Sequence, residues 1–275
     1  MFGRVGPRLK ARLVGVLRDA GHYVAMVGDG VNDVLPLRRA QLGIAMGSGS
    51  PATRGAADLV LLNDNFEVLP RAIVEGQRIV AAMGATIIVL LTRTFCVLLI
   101  VVAATALGLP FPLTPRQNAI LALVTVGVPG IAIALWMPPI RPRASLLPAT
   151  LRVAIPLSVA VAAAALPAYL AALQLGFDLD SSRTVLTTMG VICGLGLLPI
   201  VQPRGKTVGF ARAWPWLVMA TMLPLYIGML AVPFARDFYE LSPLSPDILA
   251  VLLIVGGGWT LVLHAVLRRV RLPWP

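Results

Sequence analysis

The stretch Val24-Ala-Met-Val-Gly-Asp-Gly-Val-Asn-Asp33 joins a short apolar segment to a glycine-rich turn with two aspartates and an asparagine. An apolar strand of a parallel sheet carries the residues that follow it to the edge where α/β proteins bind ligands. Gly28 and Gly30 would let the backbone approach such a ligand closely. The carboxylate of Asp29 is a suitable ligand for a hard cation such as Mg2+. The stretch therefore predicts a site for phosphate and magnesium.

The sequence around this turn alternates between helical and strand patterns. Helices are predicted over 7–20, 35–41 and 50–57, and strands over 23–27, 42–46 and 59–62. Such alternation is typical of a parallel sheet with helices between its strands. Three short strands leave sheet edges and one face unpaired, so residues 1–66 are too few for an independent nucleotide-binding fold. We therefore expect them to be part of a larger α/β domain.

The remainder of the chain is too apolar for a soluble protein. Of its 275 residues 58% are hydrophobic and 13% are charged, and the mean hydropathy is +0.86. An amphipathic helix over 67–80 leads into six apolar spans, each long enough to cross a hydrocarbon core of about 30 Å. The spans are predicted at 81–107, 117–137, 151–175, 184–201, 214–234 and 247–267. The predicted fold class is a partial α/β segment followed by a six-helix transmembrane bundle over residues 81–275.

The basic residues predict the orientation of these spans. The net charge is +11, but the cations are scattered or lie between apolar runs, which indicates membrane topology and no nucleic-acid partner. Loops on the side of the α/β segment carry Arg141, Arg143, Arg152, Arg204, Lys206, Arg212, Arg268, Arg269 and Arg271, whereas the opposite loops carry Arg116, Arg183 and Arg236. By the positive-inside rule both termini are cytoplasmic. No cleavable signal peptide is visible.

Several motifs occur in a fixed order over the first 80 residues. They are Arg4-Val-Gly-Pro-Arg-Leu-Lys10, Gly28-Asp-Gly-Val-Asn-Asp33, Leu37-Arg-Arg-Ala40, Leu42-Gly-Ile-Ala-Met-Gly47 and Gly76-Gln-Arg-Ile79. Together they resemble the P-type ATPases, which are cation pumps with a haloacid-dehalogenase-like (HAD-like) core. The resemblance implies that residues 1–66 are the C-terminal part of the HAD-like phosphorylation domain. It also implies that residues 67–80 are a stalk helix and that the six spans are the last six helices of a pump.

The same resemblance implies roles for the polar residues of the turn. Asp29 would ligate Mg2+, Lys10 would contact the phosphoryl oxygens, and Asn32 and Asp33 would order the turn and its water. Asp33 would lie next to the Mg2+ site without binding the ion directly. Gly28 and Gly30 would belong to the same binding turn. These roles fit phosphoryl transfer, which needs charge neutralisation by a metal ion and a fixed cation.

The sequence also departs from the family. Val27 replaces a usual threonine, and Arg38 replaces a common lysine. No Asp-Lys-Thr-Gly-Thr sequence, Thr-Gly-Glu-Ser loop or nucleotide-binding insertion occurs in the 275 residues. Without the phosphorylated aspartate the chain alone would be inactive, so we expect a missing N-terminal half of the pump to hold it and most of the ATP site. The alternative is a non-enzymatic six-helix scaffold, regulator or relic of a pump.

The membrane half gives candidates for the ion pathway. None of the 12 acidic residues lies in the interior of a predicted span, so cation ligands there would be neutral oxygens. Pro129 removes a helix hydrogen bond and could free a carbonyl group, although a simple kink for helix packing is the alternative. Arg93 costs at least ~2.5 kcal/mol within a span unless it finds a partner or water, or snorkels to the interface. The candidates are Thr92, Arg93, Thr94, Asn118, Thr125, Gly127 and Pro129.

A second resemblance concerns the ion. Pro110-Phe-Pro-Leu-Thr-Pro-Arg-Gln117, followed by the apolar run 121–135, resembles a bacterial subgroup of these pumps that is associated with calcium uptake. The two resemblances together imply an ATP-driven cation translocase, with Ca2+ as a candidate ion and with Mg2+ and ATP as its cofactor and substrate. We expect it in contact with lipid in a bacterial plasma membrane.

Overall fold

The computed structural model describes residues 6–140, 146–202 and 209–267. The chain divides into two compact units, Met1–Val74 and Glu75–Pro275. Most of the loop cations that predict the membrane orientation lie outside the described residues, namely Arg141, Arg143, Arg204, Lys206, Arg268, Arg269 and Arg271. The predicted orientation of the termini therefore stays a prediction.

The first unit contains a three-stranded parallel sheet with a helix before each strand. Its elements are α1 (Pro7–Asp19), β1 (Ala25–Gly28), α2 (Val34–Arg39), β2 (Leu42–Met46), α3 (Pro51–Ala56) and β3 (Leu59–Leu61). The strand order is β1-β2-β3, with Ala25 opposite Leu42 and Ile44 opposite Leu59. Because all three strands run in parallel, their carboxyl ends meet at one edge of the sheet. The predicted partial α/β segment is confirmed.

All elements of this unit except β2 differ by one or two residues from their predicted bounds, and two of the differences have a local cause. β1 begins at Ala25, because the N–H of Val24 donates to Oε1 of Gln41 at 2.8 Å and is not used in the strand ladder. α2 ends at Arg39, because the backbone of Ala40 is extended with φ −69° and ψ 159°. The core of the unit consists of buried apolar side chains of the helices and of β2 and β3: Ala11, Val14, Leu37, Ile44, Ala45 and Leu61.

The second unit is helical, and its first helix begins before the unit boundary. The remaining elements are α4 (Val68–Ala106), α5 (Pro115–Ala122), α6 (Val128–Trp136), α7 (Leu146–Gln174), α8 (Leu179–Gly196), α9 (Leu198–Val201), α10 (Phe210–Ala231), α11 (Pro233–Tyr239) and α12 (Pro246–Leu267). A π-helical turn, Leu123–Gly127, joins α5 to α6. Over the described ranges, six helices are long and apolar enough to cross a membrane. The predicted six-helix bundle is confirmed.

Local signals set where two of these spans begin and end. The carboxylate of Asp178 accepts a hydrogen bond from the N–H of Ser181 at 3.1 Å and caps α8, which therefore begins at Leu179 and not at 184. The fifth span ends at Ala231, before the predicted 234, because Pro233 starts the separate short helix α11.

The α8 span lies at the centre of the membrane unit. In the apolar 18-residue stretch of this span 83% of the residues are buried, against 11% in the corresponding stretch of α12. Buried threonine hydroxyls on α8 donate to carbonyl groups of their own helix, and that of Thr188 also pairs with a neighbouring helix. The hydroxyl groups of Thr188 and Tyr226 on α10 are 2.9 Å apart, and both side chains are buried. A buried pair of this kind helps to fix how α8 and α10 are aligned, because unpaired hydroxyls would be costly there.

Two adjacent glycines of α12 test its packing against α8. A Cβ atom at Gly256 would lie 2.7 Å from Cγ2 of Ile192, whereas one at Gly257 would meet nothing within 4 Å. We expect Gly256→Ala to lower the free energy of unfolding by about 1–3 kcal/mol, because α12 has to move away from α8. Gly257→Ala should leave it unchanged or raise it slightly, because alanine is favoured in helices. Equal thermal unfolding midpoints in detergent would contradict this packing.

Candidate functional site

The turn after β1 lies at the carboxyl edge of the sheet, and α3 anchors its backbone. The N–H of Ser50 donates to the carbonyl oxygen of Asp29 at 2.8 Å. The hydroxyl of Thr53 donates to the carbonyl oxygen of Gly30 at 2.9 Å. Ser50 also caps α3, because its side-chain oxygen accepts a hydrogen bond from the N–H of Thr53. These bonds hold the main chain of the turn and leave the Asp29 carboxylate uninvolved.

An ion pair lies beside this turn. Nζ of Lys10 and Oδ1 of Asp33 are 2.7 Å apart, and the two side chains are 40% and 11% exposed respectively. Asp33 packs so close to the end of β1 that a Cβ atom at Gly28 would lie 2.5 Å from the Cβ atom of Asp33. The position of Asp33 therefore requires a glycine at residue 28.

The other two predicted polar residues of the turn are free. The side chains of Asp29 and Asn32 are exposed and make no hydrogen bond or ion pair with the described part of the chain. Among the residues that the structure describes, no group of three or more His, Cys, Asp or Glu side chains could hold a metal. Mg2+ is usually held by one or two carboxylates together with phosphate oxygens and water. The free carboxylate of Asp29 fits an ion whose coordination a bound phosphate completes.

The motif analysis did not identify Ser50 and Thr53. A signal for the first was present, because serine followed by proline is typical of a helix N-cap and its first residue. Nothing in the local pattern indicates that Thr53, which is fully buried, reaches the carbonyl group of Gly30. That contact joins residues 23 positions apart. It exists only after the sheet has formed.

The Thr53 hydroxyl can be tested by two substitutions. Thr53→Val keeps the shape of the side chain and removes the donor to Gly30. We expect amide hydrogens of the turn, residues 28–33, to exchange about five-fold to ten-fold faster, since a hydrogen bond contributes about 1 kcal/mol. Thr53→Ser keeps the donor and should preserve protection. Hydrogen exchange read by mass spectrometry checks this, and equal rates in the valine and serine variants would contradict it.

A small cavity lies inside the membrane unit between α4, α7, α8 and the span formed by α5 and α6. Its volume is about 30 Å³, and its polar lining consists of Thr92, Arg93, Cys96 and Thr125. The side chain of Thr92 is 1% exposed, and its hydroxyl has no hydrogen-bond partner among the described residues. The hydroxyl of Thr125 donates to the carbonyl oxygen of Leu121 at 2.6 Å. None of the described residues that line the cavity is acidic.

Arg93 reaches across to α5. One of its terminal nitrogens donates to the backbone carbonyl of Asn118 at 2.8 Å and also to the side-chain oxygen of Asn118. Thr94 does not line the cavity. It is exposed, and its hydroxyl donates to Leu90 of its own helix at 2.9 Å. Residues two apart lie about 200° apart around a helix, so Thr92 and Thr94 face different sides of α4.

The predicted interruption of the second span is a π-helical turn. The N–H of Val128 donates to the carbonyl oxygen of Leu123, five residues earlier. Gly127 is the last residue of this turn and is exposed, whereas Pro129 is buried in the first turn of α6. A π-helical turn leaves backbone groups outside the regular α-helical pattern and often occurs at functional sites.

Comparisons with known proteins show similarity to ion pumps. The chain is 32% identical over 272 residues to the calcium-transporting ATPase CtpE of Mycobacterium tuberculosis (strain CDC 1551 / Oshkosh), covering 93% of this chain and 33% of CtpE. It is 37% identical over 135 residues to P-type sodium-transporting ATPase4 of Toxoplasma gondii (strain ATCC 50861 / VEG), covering 49% of this chain and 10% of that protein. The chain thus spans about a third of the length of CtpE.

A structural comparison finds the catalytic domain of the CPx-ATPase CopB-B, whose study describes conformational changes upon nucleotide binding. The sequences are 34% identical, the TM-score is 0.24, and the match covers 25% of this chain and 27% of that one. No protein-family model matches the chain.

Proposed function

Because the chain belongs to the P-type ATPase family, we propose that it forms part of a pump that couples ATP hydrolysis to cation transport across a membrane. The observation that carries the proposal is that one chain combines two features of an ATP-driven transporter. The free Asp29 carboxylate lies beside the Lys10–Asp33 pair, and six helices are long enough to span a membrane. The pump would form an aspartyl-phosphate intermediate during each cycle.

Each polar residue of the turn has a role in this proposal. The Asp29 carboxylate binds Mg2+, which when bound neutralises charge on the transferred phosphoryl group. The Lys10 ammonium contacts the phosphoryl oxygens as a fixed positive charge, and Asp33 holds it at 2.7 Å. Asn32, whose amide is exposed, orders water at the turn. Gly28 and Gly30 let the main chain approach the phosphate.

The phosphorylated aspartate would lie outside these 275 residues. No Asp-Lys-Thr-Gly-Thr sequence is present, so the chain alone has no nucleophile that could accept the phosphoryl group. We propose that a further part of the pump supplies this aspartate together with most of the ATP site. The isolated chain is then inactive as an ATPase.

The membrane cavity suggests where the cation pathway runs. Thr92 and Thr125 offer neutral oxygens in the lining of the cavity, and Asn118 offers oxygens that accept hydrogen bonds from Arg93. The π-helical turn that ends at Gly127 adds backbone carbonyl groups before Pro129. Such oxygens suit hard cations. We propose Ca2+ as the transported ion, because CtpE, whose match covers 93% of this chain, is named a calcium-transporting ATPase.

The division of the chain follows from this proposal. Residues 1–66 form the C-terminal part of the phosphorylation domain, residues 67–80 the stalk helix, and residues 81–275 the six-helix membrane domain. Both termini would be cytoplasmic, in a bacterial plasma membrane. Because α4 is continuous from Val68 to Ala106, a displacement of its first turns would pass into the membrane as a rigid-body movement.

Cation-stimulated ATP hydrolysis by the complete protein, meaning this chain together with the part that supplies the phosphorylated aspartate, tests the proposal in lipid vesicles. We expect Ca2+ to raise the rate several-fold above the rate with Mg2+ alone, and Na+ or K+ to have little effect. Stimulation by Na+ would replace Ca2+ by Na+ as the proposed transported ion. Na+ is the specific alternative, because the T. gondii relative is named a sodium-transporting ATPase. If no cation stimulates hydrolysis, the non-enzymatic scaffold, regulator or relic of a pump becomes the better interpretation.

A further inference from the structure

We propose that a groove between α7, α8 and α12 binds one acyl chain of a phospholipid whose headgroup carries a primary ammonium group, as in phosphatidylethanolamine. This inference goes beyond the pump, because it concerns a bound lipid and requires neither ATP nor Mg2+. It rests on three properties of the groove, which are its apolar lining, its length and the carboxylate at its mouth.

The first property is a large apolar volume that is open at its side. The groove has a volume of about 550 Å³, which lies within the range of about 300–1,000 Å³ that is usual for ligand sites. The wall formed by α7 consists mainly of small side chains, namely Ala163, Ala164, Pro167, Ala168, Ala171 and Ala172. On the wall formed by α12, Val251 and Val255 are 58% and 51% exposed. In a membrane, an apolar opening between two spans faces acyl chains.

The second property is a length that matches one leaflet of the membrane. On α12 the groove extends from Asp247 to Trp259, which corresponds to about 18 Å at 1.5 Å per residue. Half of a hydrocarbon core of about 30 Å is about 15 Å. Nε1 of Trp259 donates to the carbonyl oxygen of Ala160 at 2.9 Å and joins α12 to α7 at the inner end. A helix of a partner or of a second copy has to cross the whole core, so a groove of this length suits an acyl chain better.

The third property is a free carboxylate where a lipid headgroup would lie. Asp247 is in the first turn of α12, at the start of a candidate membrane span. Its side chain is exposed and makes no hydrogen bond or ion pair with the described part of the chain. Among the described residues that line the groove, Asp247 is the only charged one. An apolar groove that ends at a carboxylate complements an acyl chain that ends at a cationic headgroup.

The carboxylate also discriminates between headgroups. The primary ammonium of phosphatidylethanolamine can donate a charge-assisted hydrogen bond to Asp247, whereas the quaternary ammonium of phosphatidylcholine has no N–H to donate. Phosphatidylglycerol has a net negative charge, which Asp247 repels. Arg183, two residues before the groove residue Val185 on α8, is already bound to Asp180 at 3.1 Å and to the carbonyl oxygen of Phe111 at 2.9 Å. It is therefore not a free partner for an anionic headgroup.

Native mass spectrometry of the complete protein tests the proposal in detergent that contains equal amounts of these three phospholipids with identical acyl chains. We expect a retained phospholipid, with phosphatidylethanolamine enriched about ten-fold over phosphatidylcholine. Asp247→Asn keeps the size of the side chain and removes its charge, so the enrichment should fall to about two-fold or less. Asp237→Asn, at an exposed carboxylate of α11 that does not line the groove, is the matched control and should keep the enrichment.

A second variant tests the groove itself. Ala171→Phe places a large side chain in the wall formed by α7 and displaces part of the acyl chain. We expect retention of all three phospholipids to fall on the order of ten-fold, because apolar contact is lost for each displaced methylene group. Ala220→Phe, at an exposed alanine of α10 outside the groove, should retain phospholipid as the wild type does.

Three results would overturn the proposal. The first is a wild-type protein that retains no phospholipid, or that carries a second copy of the chain in its place. The second is wild-type enrichment in Asp247→Asn, which would place the headgroup elsewhere. The third is wild-type retention in Ala171→Phe. Asp247→Asn changes only an exposed side chain, so the inference stays testable even if Ala171→Phe fails to fold. Because the readout is lipid binding, a protein that hydrolyses no ATP tests the groove equally well.

Discussion

Replacing Asp29 by alanine in the complete protein is expected to lower ATP turnover by on the order of a thousand-fold. In our proposal this carboxylate is the chain's own ligand for Mg2+, and the transferred phosphoryl group loses its main neutralising charge without it. The folded structure should be unaffected. The Asp29 side chain is exposed and contacts no described residue by a hydrogen bond or ion pair. Steady-state ATP hydrolysis and thermal unfolding in detergent measure the two effects separately.

The matched control is Asp19→Ala, which removes an exposed carboxylate at the end of α1 in the same unit. It should keep turnover within about two-fold of the wild type, because long-range effects of one exposed charge are screened by salt. If the Asp29→Ala variant retains wild-type turnover, Asp29 is not a ligand of the proposed metal site. A fall in thermal stability as large as the fall in activity would instead indicate a structural role.

The second large effect is expected for Gly28→Ala. Its new Cβ atom would lie 2.5 Å from the Cβ atom of Asp33, which is fixed by the backbone and cannot rotate away. We expect the first unit to lose about 1–3 kcal/mol of stability, because the turn has to move. The Lys10–Asp33 ion pair, 2.7 Å long, should also be displaced, so ATP turnover should fall at least about a hundred-fold.

Gly30→Ala is the control for stability. A Cβ atom at Gly30 meets nothing within 4 Å, and its backbone, with φ −99°, is open to any residue. We expect the stability of this variant to remain within about 0.5 kcal/mol of the wild type. Thermal unfolding followed by circular dichroism, with the complete protein in detergent, compares the two variants. Equal stability would mean that Asp33 does not pack against the end of β1 as described.

Sequence patterns were sufficient for the first unit because its architecture follows from chain order. Short strands that alternate with helices form a parallel sheet, and the carboxyl ends of such strands meet at one edge. Asp29 and Asp33 follow β1 directly, so their location at that edge could be predicted. The family resemblance implied that Lys10 acts at this turn, but it did not predict the ion pair between Lys10 and Asp33, and residues 23 positions apart are not related by any local period.

Other features needed three-dimensional packing. The buried hydroxyl of Thr53 reaches Gly30 only once α3 lies beside the turn. The different orientations of Thr92 and Thr94 are an exception, because residues two apart on a helix face different sides and helical periodicity alone predicts this. By contrast, the π-helical turn ends at Gly127, before Pro129. The proline indicated an interruption of the helix but not its geometry, since the register of a helix depends on what packs around it.

Formation of an acid-stable phosphoprotein from radioactive ATP, with the complete protein in lipid vesicles, tests most directly whether this chain is part of an ATP-driven cation pump. We predict covalent labelling that requires Mg2+, depends on Ca2+ and is released by hydroxylamine, as expected for an acyl phosphate on an aspartate. Asp29→Ala should abolish the labelling and Asp19→Ala should not. A folded wild-type protein that acquires no acid-stable phosphate with any cation would contradict the pump.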